Sequence, residues 1–214
     1  MQPTRILLAD DHDVVRKGLR GILEAQPGWQ VCGEASNGRE AVRLVRELEP
    51  QIVVLDLEMP ELNGLEATRQ IKKEFPDTEV LIFTMHETEQ LIRDVLAAGA
   101  RGYVLKSDAG RHLVDAIEAL GRKKPFFTTK ASETLLEEFL ESSPAVRETT
   151  VLTAREREIV QLLAEGKVNK EISSTLCISI RTVETHRATI MRKLKINSIV
   201  ELVHYAIRNN LVKV

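Results

Sequence analysis

Apolar runs alternate with amphipathic stretches along roughly the first 120 residues. The clearest run is Ile52-Val53-Val54-Leu55, four apolar and mostly β-branched residues that read as a strand buried on both faces. It stops at Asp56. Three other runs also end on polar side chains: Ile6-Leu7-Leu8-Ala9 at Asp10-Asp11, Val80-Leu81-Ile82-Phe83 at Thr84, and Tyr103-Val104-Leu105 at Lys106. The pattern predicts strands over residues 5–9, 30–35, 52–56, 80–84 and 103–106. Helices are expected over 13–25, 38–48, 63–74, 88–98 and 109–120. Asn37-Gly38 and Asn63-Gly64 punctuate two helix starts, and Gly99 stands where a left-handed cap would close the fourth helix. Five βα units with right-handed crossovers make an α/β fold. Its sheet is parallel, five-stranded and flavodoxin-like, in the order 2-1-3-4-5.

The pattern changes at Gly121-Arg122-Lys123-Lys124-Pro125. Residues 122–148 read as a linker with one short helix bearing Leu135, Leu136, Phe139 and Leu140, ended by Ser142-Ser143-Pro144. Its glutamates (Glu133, Glu137, Glu138, Glu141) read as a solvated face. Residues 149–214 then show only helical spacing. Thr153 through Glu156 is a capping box opening a helix with Ile159, Leu162 and Leu163 inward, closed by Gly166. A short helix follows over Asn169–Thr175. Ser179 caps a third helix bearing Val183, Ile190, Met191 and Leu194, and Ser198 caps a fourth bearing Leu202, Val203 and Ala206. Four short helices fit a small all-α helix-turn-helix module. The reading is thus a domain over 1–121, a linker over 122–148 and a second domain over 149–214.

Charge sharpens that division. Residues 151–214 carry eleven Lys/Arg against six Asp/Glu, net +5, while residues 1–150 carry nineteen against twenty-six, net −7. A basic module beside an acidic one suggests two partners of opposite character. No apolar stretch approaches the roughly 20 residues of a membrane span, and Met1-Gln2-Pro3-Thr4-Arg5 leads directly into a strand without a secretory segment. Cys32 and Cys177 lie far apart without ligand spacing and read as small buried fillers. The expected setting is the cytoplasm, with no membrane partner.

In the predicted sheet the polar endings share one edge, so Asp10, Asp11 and Asp56 converge. Clustered carboxylates repel unless a cation neutralises them, and oxygen ligands without His or Cys favour a hard ion such as Mg²⁺. With Lys106 and the hydroxyl of Thr84 the set reads as a phosphoryl-transfer site, Asp56 being the candidate nucleophile. Taken singly, each residue has a plainer role: a turn aspartate, a strand threonine, a solvated lysine. The outward face of the third C-terminal helix presents Arg181, Thr182, Glu184, Thr185, Arg187, Ala188, Arg192 and Lys193. Such a helix can enter a major groove, its N-terminal half on base edges and its cations on phosphates, although a charged solvated face is the plainer alternative.

Asp10-Asp11, Asp56 with Met59-Pro60 and Gly64, Thr84 and Lys106 resemble the receiver domain of two-component response regulators. The resemblance implies that Asp56 takes a phosphoryl group from a phosphohistidine on a sensor histidine kinase. Asp10, Asp11 and Asp56 would hold Mg²⁺ with the Glu58 backbone carbonyl. Thr84 and Lys106 would contact the phosphoryl group, and Tyr103 would act as a switch that turns inward on phosphorylation. Glu58 and His86 would tune phosphoryl lifetime.

Leu152-Thr153-Ala154-Arg155-Glu156, Gly166-Lys167, Asn169-Lys170-Glu171-Ile172 and Thr182-Val183-Glu184-Thr185-His186 resemble the LuxR-type helix-turn-helix. The pairing is that of NarL-type regulators. It implies base-reading positions at Glu184, Thr185 and Ala188, and phosphate approach at Lys170, Thr182, His186, Arg187 and Lys193. It further implies a homodimer when phosphorylated or on double-stranded promoter DNA, a fourth helix that pairs, a receiver that covers the recognition helix before phosphorylation, and RNA polymerase as a further partner. Val168 and Lys195 depart from the family, which usually carries a small polar residue and a glycine there. Two rivals remain open at this level: a metal-dependent phosphohydrolase with Glu58 as acid/base, and a docking protein that is never phosphorylated.

Overall fold

The structure is a computed structural model that describes residues 3–128 and 151–212. Two compact units divide the chain, one holding the first of these segments and one the second. The expected linker helix around Leu135–Leu140 lies outside the described residues.

In the first unit the strands are β1 (Thr4–Ala9), β2 (Trp29–Ala35), β3 (Ile52–Leu55), β4 (Glu79–Thr84) and β5 (Gly102–Leu105). The helices are α1 (Asp13–Glu24), α2 (Gly38–Leu48), α3 (Gly64–Glu74), α4 (Glu89–Ala97) and α5 (Ala109–Gly121). All strands pair in parallel. The period of two along each strand splits the core between the two faces of the sheet. Leu7, Val53, Leu55, Val80, Ile82 and Tyr103 join one apolar cluster with Val45, Ile71 and Ile92. Ile6, Leu8, Ile52, Val54, Leu81 and Phe83 join the other with Leu19, Leu23, Leu113 and Ile117.

Among the described residues the sheet has six strands rather than five, in the order β2-β1-β3-β4-β5-β6. β6 is Phe126–Phe127, a stretch that reads as linker in the sequence. It pairs with β5 in the register Gly102↔Phe126 and Tyr103↔Phe127. Two residues carry no periodicity, so the strand exists because β5 offers an open edge. The sheet of the first unit therefore extends past residue 121. Lys106 also leaves its expected strand and opens a 3₁₀ turn, Lys106–Asp108.

Two asparagine-glycine pairs explain how the helices pack so close to the strand ends. The side chains of Asn37 and Asn63 accept from Glu40 N and Glu66 N at 2.8 and 2.9 Å, capping α2 and α3. The glycines that follow are required by contact: a Cβ on Gly64 would lie 2.0 Å from the Asp56 carbonyl oxygen, and one on Gly38 2.1 Å from that of Leu62.

The second unit is α6 (Ala154–Ala164), α7 (Asn169–Leu176), α8 (Ile180–Leu194) and α9 (Ile199–Arg208), matching the expected helices within a residue or two. Leu152, Ile159, Leu162, Ile172, Leu176, Val183, Ile190, Leu202 and Ala206 form its core. Thr153 and Glu156 make the expected capping box, and Ser179 and Ser198 cap α8 and α9. Both departures from the family fall on caps. Val168 is the N-cap of α7 and offers no side-chain acceptor, though Glu171 accepts from its backbone N–H at 2.9 Å. Lys195 is the C-cap of α8 in the left-handed region, φ 54°. The cysteines are less buried than expected: Cys32 is half-buried, and Cys177 is exposed at another left-handed cap, φ 52°.

Candidate functional site

The ends of β1 and β3 bring the acidic residues together, and the end of β5 adds Lys106. Asp10 and Asp56 are 1% and 3% exposed. Ligand atoms of Asp10, Asp11, His12 and Asp56 all lie within 4.8 Å of one another. Lys106 reaches past the end of β4 and places Nζ 2.8 Å from Asp56 Oδ2 and 2.6 Å from Asp10 Oδ2. Strand order alone makes this meeting possible, because β1 and β3 are neighbours at the switch point of the winding.

The electrostatics follow from burial. Burial pushes the Asp56 carboxyl up to about 6; the Lys106 ammonium opposes that rise and the neighbouring Asp10 charge adds to it. Burial works against the Lys106 cation too, but its bonds to Asp10 and Asp56 outweigh it and raise the amine above its ordinary value. One lysine facing buried acids leaves negative charge over. Asp10 Oδ2 has no aligned hydrogen-bond donor despite the ion pair. An oxygen-rich cluster whose carboxylates outnumber its one lysine fits a hard divalent cation. His12 was not among the expected residues: its Nδ1 lies 3.1 Å from Asp10 Oδ1 and 2.7 Å from Asp11 Oδ1. Its position directly after Asp10-Asp11 was the available signal.

Around this cluster stand the expected switch residues. Thr84 ends β4 and is 1% exposed; its Oγ1 accepts from His86 N at 3.4 Å. Tyr103 is fully buried, already facing inward, and its hydroxyl donates to the His86 carbonyl. Burial, then the Glu87 charge, pushes its phenol far up, so it stays a donor. At the rim, Glu58 Oε1 lies 3.3 Å from His86 Nε2. Thr128, just past β6, donates to Glu87 Oε1 at 3.2 Å. The β4–α4 loop thus touches Thr84, Tyr103 and the start of the linker.

On α8, Glu184, Thr185 and Ala188 are exposed, while Thr182, His186 and Arg187 are half-buried. Thr185 Oγ1 donates to the Arg181 carbonyl at 2.9 Å, and the Thr182 hydroxyl meets Ser179 Oγ at 2.8 Å. Lys170 is exposed in the first turn of α7. Lys193 is engaged within the domain, Nζ 2.7 Å from Oε2 of the buried Glu156. Arg155 donates to the Leu176 carbonyl at the end of α7, at 2.7 Å. These two cations tie α6 to α8 and α7.

Residues 6–118 match the family described as response regulator receiver domain, and residues 150–206 match bacterial regulatory proteins, luxR family. The transcriptional regulatory protein LiaR of Bacillus subtilis (strain 168) is 41% identical over 208 residues, covering 97% of this chain and 99% of its own. A crystal structure of a LuxR-family two-component response regulator from Aurantimonas sp. SI85-9A1 aligns at TM-score 0.61 and 41% identity, over 65% of this chain and 100% of its own. RcsB from Salmonella enterica serovar Typhimurium, solved bound to a promoter in the presence of phosphomimetic BeF₃⁻, aligns at TM-score 0.59 and 28% identity, over 95% of this chain and 98% of its own. No helix among the described residues is long and apolar enough to cross a membrane. The chain belongs to the two-component response regulators, with a receiver domain followed by a LuxR-type helix-turn-helix DNA-binding domain.

Proposed function

We propose that Asp56 is the phosphoacceptor of a promoter-binding regulator. The observation that carries this reading is Lys106 standing within hydrogen-bond distance of both Asp56 and Asp10 inside a cluster of acids. An Asp56 carboxylate oxygen attacks the phosphorus of a phosphohistidine on a sensor kinase; the P–N bond breaks and the imidazole leaves. Asp10, Asp11 and Asp56, with the Glu58 carbonyl, would hold Mg²⁺, which when bound neutralises charge on the phosphoryl oxygens. Lys106 exchanges part of its pairing with Asp56 for the new phosphoryl oxygens. The Thr84 hydroxyl donates to another, drawing with it the loop that holds the Tyr103 hydroxyl and, through Glu87, Thr128. Glu58 and His86 at the rim tune how readily water reaches the acyl phosphate.

The partner of the second unit is double-stranded promoter DNA, met by a homodimer. Exposed Glu184, Thr185 and Ala188 face base edges, and Lys170, Thr182, His186 and Arg187 approach phosphates. Lys193 serves that surface by fixing α8 through Glu156. RNA polymerase is the partner through which a promoter-bound dimer acts, and DNA binding sets the work in the cytoplasm. The curated relative is a transcriptional regulator, and we read this chain likewise as a regulator rather than an enzyme. Phosphodonor treatment should shift promoter affinity of the wild type and leave Asp56→Ala unchanged in a gel-shift titration. Equal phosphodonor response in both would refute control at Asp56, and steady turnover of phosphomonoesters would favour the hydrolase reading.

A further inference from the structure

Asp10 must stand in one place if it is to share charge with Asp56 and Lys106. Its carboxylate accepts from His12 N at 2.8 Å and pairs with Lys106. The peptide that carries it is held on both sides as well. Its N–H donates to the Ala35 carbonyl at the end of β2, at 3.1 Å. Its carbonyl accepts from Arg16 Nη1 at 2.6 Å. Arg16 comes from the first turns of α1 and its side chain is only 12% exposed. The same guanidinium sends Nε to Glu34 Oε2 at 3.2 Å and Nη2 to Asp13. Glu34 lies on β2, one residue before Ala35, and its other oxygen accepts from Arg20 Nε at 2.6 Å. Burial favours the neutral Glu34 acid, but the hydrogen bonds from Arg20 and Arg16 outweigh it and hold the carboxyl below its usual range. The anchor is therefore charged.

From this geometry we infer that Arg16 is a positioning residue for the phosphoryl-transfer site, clamping the Asp10 peptide to Glu34 of the edge strand so that the Asp10 carboxylate is held in place for a divalent cation. The inference rests on the phosphoacceptor reading above. A planar fork is needed for it: one guanidinium donates to a carbonyl and a carboxylate in different directions, and a lysine ammonium of the same charge does not reproduce that pair of directions. An ordinary surface ion pair contributes about 0–1 kcal/mol and fixes little. A donor fixed on the backbone of a ligand residue acts differently, because metal affinity depends on ligand placement, and loss of such supporting bonds typically weakens binding by about 10–100-fold.

The test uses the full chain and Mg²⁺ titrated by calorimetry, alongside urea unfolding. Arg16→Lys should weaken Mg²⁺ binding by about ten-fold while leaving the urea midpoint close to wild type. Glu34→Gln should weaken it less. Arg20→Lys breaks a bond to the same Glu34 without touching Asp10 and should leave Mg²⁺ affinity unchanged. Unchanged Mg²⁺ affinity in Arg16→Lys overturns the clamp, as does equal weakening in Arg20→Lys, which would mark the network as a general staple between α1 and β2. If the wild type binds no Mg²⁺ at all, the phosphoacceptor reading fails first and the clamp with it.

Discussion

Metal-free protein should lose stability as pH rises from about 4 to about 6, and Asp56 should be the reason. The carboxyl is nearly inaccessible at the end of β3, and burial lifts it from 3.8 to about 6 against the pull of Lys106. The folded state therefore holds a proton that the unfolded chain releases. Across that window the folded state binds more protons, so raising the pH destabilises it; below both values and above both values the curve is flat on this account. At about 1.4 kcal/mol for each pH unit the whole effect is about 3 kcal/mol. The perturbation is Asp56→Asn, which removes the titration at nearly constant volume. Trp29, the single tryptophan, sits on β2 beside the receiver core, so its fluorescence follows unfolding of that domain. Urea titrations in chelator from pH 4 to pH 7.5 should show the wild type losing about 3 kcal/mol more than the variant. Mg²⁺ should then recover stability at neutral pH in the wild type. Parallel pH profiles for the two proteins would refute the burial argument.

Four further outcomes follow from single contacts. Gly64→Ala would drive a Cβ to 2.0 Å from the Asp56 carbonyl; because both sides are backbone, the receiver should lose about 3 kcal/mol or more, read by the same fluorescence. Lys195→Gly relieves a left-handed cap, φ 54°, and should stabilise the helical domain by about 1 kcal/mol in thermal circular dichroism. Val168→Ser supplies the missing acceptor at the N-cap of α7 and should add about 1 kcal/mol by the same measurement. Thr128→Val removes the donor to Glu87; phosphorylation of Asp56 should proceed normally, while the gain in DNA affinity on phosphorylation should shrink about five-fold, the equivalent of 1 kcal/mol. An unchanged gain would show that the linker does not sense the β4–α4 loop through this contact.

Much of the molecule was legible in the chain because the deciding physics is local. Short continuous apolar runs marked β1, β3 and β4, and side-chain caps at Thr153, Ser179 and Ser198 marked helix starts within a turn. Asp10, Asp11, Asp56, Thr84 and Lys106 could be grouped because parallel strands end on one edge. Distance along the chain hid the rest. Lys193 meets Glu156 across 37 residues, so a lysine expected on phosphates is paired within its own domain. Phe126–Phe127 is a strand only because the edge of β5 is open to it. Nothing near Arg16 in the sequence says that its guanidinium ends on the Asp10 carbonyl. Sequence determines which groups are available and which elements carry them, because hydrophobic period and capping act over a few residues. The tertiary structure alone decides which charges are buried together and which cation each carboxylate receives, because Coulomb energies and hydrogen bonds depend on separations that only the folded chain sets.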